Sequence, residues 1–291
     1  MNETDVADGD RVLRVRDAGD PHGSVVMYFH GTPGSRLDLG FGEKVAADRG
    51  VRLVSFDRPG YGGSTPAAFG LESISHDAQM VADHLGVDRF ATLGQSGGGP
   101  FALAAGVVLG NRVVRVGVAS GAGPFLLVPG AIDALDESDR AALALLPDDS
   151  IGAANAFAAG FEPLVRLFRE ANPDAIASAF ADLRSPHDQE VMQDERYASA
   201  FATTMREALR QGASGGGWDN VSWVGPWDVD VTKVDRPVLL WYGDEDRFVP
   251  IAHGLWLRDN VPNARLVRRA DEGHLGLYEH FGEMLDELTA S

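Results

Sequence analysis

The chain has 291 residues, 44% of them hydrophobic and 23% charged, with no cysteine. This composition excludes a disordered chain, a collagen repeat and a disulfide-stapled miniprotein, and the missing cysteines remove thiolate metal sites and a cysteine nucleophile. Forty-three acidic against 25 basic residues give a net charge of −18, the wrong sign for affinity gained by neutralising phosphates, so neither nucleic acid nor a membrane surface is an expected partner.

The first ten residues are acidic and carry neither a basic head nor an apolar stretch, so they do not read as an export or mitochondrial signal, and a cytoplasmic location is expected. Val12, Leu13 and Val15 among arginines predict an edge strand over 11–16, followed by a turn at Gly19, Asp20, Pro21 and Gly23. The run Val25-Val26-Met27-Tyr28-Phe29 is too short and β-rich for a helix and predicts a strand buried on both faces. It ends at His30-Gly31-Thr32-Pro33-Gly34. A helix over 37–48, a strand over 51–56, the turn-rich loop from Asp57 to Ser64 and a helix over 74–85 follow, then a strand over 89–93, a helix over 100–109 and a strand over 113–119. The apolar run 101–110 is stopped by Asn111 and Arg112, short of the roughly 18 residues of a membrane span. Alternation of this kind predicts a parallel sheet wrapped by helices, because a parallel connection needs a crossover long enough to hold a helix.

The alternation stops at Ser120 and resumes at 237–242, and between them apolar positions recur at helical intervals. The expectation is an inserted helical cap over 121–235 on a core formed by 1–120 and 236–291. The cap would hold helices over 131–146, 152–168, 173–183 and 188–210, then a loop over 212–226. It carries 19 acidic and 8 basic residues, more than half of the net charge. A helix over 251–260, a strand over 264–269 and a helix over 278–288 complete the core.

Gly-x-Ser-x-Gly occurs twice, at Gly94-Gln95-Ser96-Gly97-Gly98 and at Gly212-Ala213-Ser214-Gly215-Gly216. A nucleophilic serine needs a sharp strand-to-helix turn that holds its hydroxyl out over the sheet edge. Ser96 has a predicted strand before it and a predicted helix after it, whereas Ser214 has no strand in front and reads as a loop serine.

With these residues the chain resembles the α/β-hydrolases, specifically the capped esterases and peptidases of that fold, over its whole length apart from the cap. The implied fold is α/β: a mostly parallel, doubly wound sheet with an inserted helical cap. The resemblance implies nucleophile, acid and histidine in that chain order, with Ser96 first. It also implies an oxyanion hole of two backbone N–H groups, those of Gly97 and Thr32, since Pro33 has none to donate. In similar proteins the acid lies three residues past a glycine, so the resemblance implies Asp246, in the loop after the 238–242 strand, with Asp244 in reserve; no carboxylate occurs from Ser120 to Ile132, where some relatives carry it. The histidine is His274, after the last strand and flanked by Gly273 and Gly276. His30 is expected to position its loop, and Asp57 to bond backbone amides in a turn.

The implied chemistry is a Ser-His-Asp hydrolysis through an acyl-enzyme, without metal or organic cofactor. Serine at 96 argues against dehalogenase and epoxide-hydrolase chemistry, whose nucleophile is a carboxylate. The expected substrate is a small-molecule carboxylic ester, uncharged and partly hydrophobic, roofed by cap side chains drawn from Phe125, Leu126, Leu127, Phe157, Phe161, Trp218, Trp223 and Trp227, more than half of which are expected to form the cap's own core instead. Further readings are a proline iminopeptidase-like aminopeptidase or amidase, a carbon–carbon bond hydrolase, and a non-catalytic ligand-binding member of the fold. Gly97 departs from the bulky residue that iminopeptidases usually carry after the nucleophile.

Overall fold

The computed structural model describes residues 2–170 and 185–290. Its eight strands, β1 Asn2–Asp8, β2 Arg11–Gly19, β3 Ser24–Phe29, β4 Val51–Phe56, β5 Phe90–Gln95, β6 Val113–Ala119, β7 Val238–Gly243 and β8 Ala264–Arg269, form one sheet in the order β1-β2-β4-β3-β5-β6-β7-β8. β2 pairs antiparallel with both of its neighbours, β1 and β4, and every other neighbouring pair is parallel. Helices cover both faces. Met27 and Phe29 of β3 join the layer of α2 (Leu71–His84), α3 (Gly99–Val108) and α10 (Ala252–Asn260), while Val26 and Tyr28 join that of α1 (Glu43–Asp48) and α11 (Gly276–Thr289). Successive residues of a strand point to opposite faces, which is why this strand reads as an unbroken apolar run.

β2 is not the edge. The acidic segment 2–8 lies outside it as β1, with only Val6 buried, so no apolar alternation announces it. Its pairing is written in charge instead: Asp5 stands opposite Arg14 and Glu3 opposite Arg16, with ion pairs at 3.0 and 3.2 Å.

Between β6 and β7 every described element is helical: α4 Ala131–Ala134, α5 Glu137–Leu143, α6 Ser150–Glu170, α7 Pro186–Val191, α8 Glu195–Ala208 and α9 Ser214–Trp223, with two short 3-10 turns. Two expected helices are divided. Asp136 caps α5 by accepting from the Asp139 N–H, and Asp194 caps α8 by accepting from the Arg196 N–H, so each acidic side chain starts a new helix within a stretch of helical periodicity. The first helix of the chain is confined to Glu43–Asp48 rather than 37–48, and the expected helix over 173–183 lies outside the described residues.

The largest departure is α9, where a loop was expected. Three consecutive glycines cost about 1 kcal/mol each in a helix, yet here they admit close packing. A Cβ on Gly215 would lie 2.6 Å from Tyr61, on Gly216 2.8 Å from Phe161, and on Gly217 2.2 Å from the Ala154 carbonyl oxygen of α6. Two glycine substitutions should therefore differ in sign. Gly217→Ala is expected to lower stability by about 1–3 kcal/mol through overpacking against backbone, and Gly160→Ala, on α6 with open space around its Cβ position, to raise it by about 0.5–1 kcal/mol. Urea denaturation checks both; stabilisation by both would mean that propensity, not packing, governs α9.

Candidate active site

The ends of β3, β5, β7 and β8 lie on one sheet edge, the carboxyl edge of the parallel strands, where ligands bind in open α/β sheets. Ser96 follows β5 directly with φ 53°, the left-handed region that non-glycine residues rarely occupy. Small neighbours make the turn possible: a Cβ on Gly94 would lie 2.3 Å from the Gly98 carbonyl oxygen, and one on Gly98 2.1 Å from that of Phe29. The segment after β6 closes on the same turn. The Ala122 N–H donates to the Ser96 carbonyl at 3.2 Å, and the Gly123 N–H to His253 Nδ1 at 3.0 Å.

His274, in the loop after β8, presents Nδ1 to Asp246 Oδ2 at 2.8 Å. Asp246 is held by its other oxygen, which accepts the N–H groups of Phe248 and Val249, each at 2.8 Å. Both residues are buried. The reserve acid Asp244 is engaged elsewhere, with Arg268 at 2.9 Å. Burial, the largest influence on His274, works to lower its pKa; the charge and hydrogen bond of Asp246 and the charge of Asp188 outweigh it, and the net shift is upward. Asp188, fully buried in α7, accepts the Leu275 N–H at 2.8 Å, so the helical insert fixes the backbone next to the imidazole.

Ser96 and His274 line one cavity of about 100 Å³ together with Gly31, Thr32, Pro33, Asp38, Gln95 and the apolar side chains of Phe201, Met205, Phe248, Leu275 and Tyr278. No lysine or arginine is among them. Asp38 is its acidic wall; burial pushes its carboxyl pKa up, and the Tyr28 hydroxyl donates to it at 2.6 Å.

None of the expected pocket aromatics lines this cavity. Phe125 packs on Trp223 and His253; Phe157 is buried with Ala142, Ala153 and Val224; Phe161 packs against α9; Trp218, Trp223 and Trp227 pack on the main core. Leu126 and Leu127 are exposed. Those residues are the insert's own core and its seam with the sheet, a use of aromatic surface that periodicity cannot distinguish from a pocket wall.

Thr32 and Gly97 abut: a Cβ on Gly97 would lie 2.2 Å from Thr32 Oγ1. The Gly97 N–H sits in the first turn of a helix, where no intrahelical acceptor exists. Beneath this loop runs a buried polar network in which the Arg58–Asp219 pair was indicated by no sequence motif, whereas the contacts of Asp57 and His30 are of the kind expected. Arg58 donates through Nε and Nη2 to both oxygens of Asp219 on α9, at 2.7 and 2.6 Å, and the same carboxylate accepts from Tyr61 and Thr32 Oγ1, each at 2.6 Å. Asp57 accepts the Arg36 and Gly63 N–H groups at 2.7 and 2.8 Å. His30 accepts the Arg58 N–H on Nε2 at 3.2 Å, which leaves Nδ1 as the donor to the Gly31 carbonyl at 2.8 Å. Burial and the Arg58 charge hold its pKa well below the usual range, so the ring is neutral. Ser214 begins α9 and packs against Gly60, apart from the cavity lining.

The chain belongs to the alpha/beta hydrolase fold family, whose sequence model matches residues 24–281. It is 33% identical over 162 residues to a probable proline iminopeptidase of Streptomyces coelicolor, an alignment covering 50% of this chain and 49% of that one, so the match spans about half the length of that relative. It is 27% identical over 286 residues to a 2-hydroxy-6-oxononadienedioate/2-hydroxy-6-oxononatrienedioate hydrolase of Cupriavidus pinatubonensis, covering 94% of this chain and 89% of that one. An esterase from Exiguobacterium antarcticum superposes with a TM-score of 0.68 at 20% identity over 99% of each chain, a likeness of fold. Among the described residues no helix is long and apolar enough to cross a membrane.

His253, also buried and neutral, yields a pH prediction. Burial lowers its pKa from 6.5 to about 4. The unfolded chain therefore binds the proton more readily between these values, so the stability it contributes is complete above pH 6.5 and lost as pH falls towards 4. That loss is about 3 kcal/mol. The stability difference between wild type and His253→Asn, which keeps an acceptor near Gly123, should shift by most of this amount in favour of the variant between pH 7 and 4, measured by urea denaturation. A pH-independent difference would contradict the assignment.

Proposed function

We propose that the protein is a serine hydrolase that cleaves carboxylic esters of small, uncharged, partly hydrophobic acyl groups. The observation that carries this reading is the buried Asp246–His274 contact at 2.8 Å, with the imidazole sharing a cavity with a serine held at positive φ.

In this mechanism neutral His274 takes the Ser96 hydroxyl proton through Nε2 as Oγ attacks the ester carbonyl. The charged oxygen of the tetrahedral intermediate lies against the N–H groups of Thr32 and Gly97, each such donor lowering the barrier by about 2.7–4 kcal/mol. Collapse breaks the carbon–oxygen bond to the alcohol, which leaves with the proton returned by His274. Water, deprotonated by the same imidazole, then attacks the acyl-enzyme and releases the acid. Asp246 keeps the ring in the tautomer with Nδ1–H and stabilises its cation.

The cavity supports the substrate class. Its apolar wall and its size, below the ~150 Å³ that holds a benzene, suit an acyl chain of up to about four carbons. Asp38, with no cation lining the cavity among the described residues, disfavours an acyl group bearing a second carboxylate, as the dioate named for the Cupriavidus pinatubonensis relative would. The same carboxylate favours a second reading, an aminopeptidase that accepts a terminal amine, in keeping with the likeness to a probable proline iminopeptidase.

p-Nitrophenyl esters of rising chain length, set beside prolyl amides, test this. kcat/KM is expected to peak at acetate to butyrate, with a burst of one nitrophenol per Ser96 and no burst in Ser96→Ala. Faster prolyl amides would reverse the ranking of the two readings, and turnover unaffected by Ser96→Ala would end both.

Because the proposed base must be neutral and its pKa is raised, kcat/KM should fall on the acid side with a midpoint above 6.5. Asp188→Asn, which removes a favourable charge, should move that midpoint downward. A midpoint below 6.5 in the wild type would contradict the role of His274.

A further inference from the structure

The serine-hydrolase reading requires the Thr32 N–H to face the cavity, yet a loop peptide can rotate and present its carbonyl instead. We propose that Arg58, anchored by Asp219 of α9, sets the orientation of the Gly31–Thr32 peptide and so aims the Thr32 N–H at the substrate oxygen; both are positioning residues acting through Thr32. The inference rests on that reading of the site.

The geometry is over-determined at one atom. The Gly31 carbonyl oxygen accepts from His30 Nδ1 at 2.8 Å and from Arg58 Nη2 at 3.0 Å, and the preceding carbonyl, that of His30, accepts from Arg58 Nη1 at 2.7 Å. A carbonyl oxygen has two lone pairs, so that of Gly31 has none left. The Gly31–Thr32 peptide is trans, and in a planar trans peptide the C=O and N–H point in opposite directions. With the oxygen fixed on the guanidinium, the Thr32 N–H turns away from Arg58, towards the side on which Thr32 and Ser96 line the cavity. Among the described residues this N–H meets no acceptor. Rotation of the plane would bring the carbonyl oxygen into the place meant for a negative charge and strip two donors of their partner.

The guanidinium itself has little freedom. Its fork is held by both Asp219 oxygens, its face lies 4.6 Å from the Phe101 ring centroid, and the pair is buried. Asp219 also bonds the Thr32 hydroxyl, so one carboxylate grips the loop directly and through Arg58. Because Asp219 belongs to the insert between β6 and β7, the donor geometry of the core depends on a residue 161 positions away from its arginine.

The test separates this positioning role from a plain strut. In wild type, Arg58→Lys, Asp219→Asn, His30→Gln and Tyr61→Phe, kcat and KM for a short p-nitrophenyl ester are measured with inhibition by a trifluoromethyl ketone, which adds the serine to form a charged tetrahedral adduct, and by the matching methyl ketone, which binds as ground state. Arg58→Lys and Asp219→Asn should lower kcat about 10²–10³-fold, the loss expected for one missing oxyanion donor, with KM within about threefold. Trifluoromethyl ketone affinity should fall in proportion and methyl ketone affinity hold. His30→Gln, which removes the other donor to Gly31 without unpairing a buried charge, should show the same split at about tenfold and serves if the charge variants do not fold. Tyr61→Phe, which loses the hydroxyl bond to Asp219 but keeps the ring packed on His30 and both donors to the Gly31 carbonyl, should keep the ratio of the two affinities. Equal loss of both inhibitors in the positioning variants, or an unchanged ratio, would overturn the inference. Absence of any Ser96-dependent adduct in the wild type would instead overturn the hydrolase reading itself.

Discussion

The left-handed backbone at Ser96 is the constraint around which the site is assembled. A non-glycine residue held there costs about 1–3 kcal/mol, and it persists because the chain around it has nowhere else to go. β3 and β5 are parallel neighbours with Phe29 opposite Gly94, so the loop leaving β3 and the turn leaving β5 emerge side by side. Gly98 then meets the carbonyls of Phe29 and His30, and Gly97 meets Thr32, at distances that leave no room for a Cβ. The glycines serve contact between backbones rather than flexibility. α3 behind them is buried from Gly99 to Gly106, which locks the turn from below.

A second theme is that buried charge joins the insert to the loops it covers. Asp219 ties α9 to Arg58, Tyr61 and Thr32, Asp188 ties α7 to the backbone after His274, and Glu207 of α8 pairs at 2.6 Å with Arg36, which also binds Asp57. Buried ion pairs contribute little net stability once desolvation is counted, although removing one partner is costly. What they supply here is definite placement: each carboxylate has directional acceptors that only one arrangement of insert and core satisfies. The acidity concentrated between β6 and β7 is thus in part structural, since Asp188 and Asp219 see no solvent.

The readable parts of this chain were those in which one residue type serves one physical need. β6 and β8 stand where their patterns predicted them, and β3 to within a residue, because the first two are bounded and the third is an unbroken apolar run. β1 was hidden because ion pairs rather than apolar alternation hold it. Ser96, Asp246 and His274 stand at strand ends in a motif order, and the structure brings the last two into contact. Arg58, Asp188 and Asp219 were silent, since a charged side chain carries no mark of burial until its partner is known, and the contacts by which they join the insert to the core span 87 to 187 positions. The aromatics between β6 and β7 could not be sorted for the converse reason: an aromatic on a helix has one pattern whether it faces a substrate or its own core. Helix α9 was masked by glycines, whose low helix propensity is outweighed by the close approach they permit.

The central claim is that the hydroxyl of residue 96, and no other, is the nucleophile. The most direct measurement is incubation with a fluorophosphonate followed by peptide mapping of the adduct by mass spectrometry. The account predicts one phosphonyl group per chain, located on Ser96, forming with a rate that falls on protonation of His274 and disappears in His274→Ala. An adduct on Ser214, or an unmodified chain that nonetheless hydrolyses esters, would contradict it.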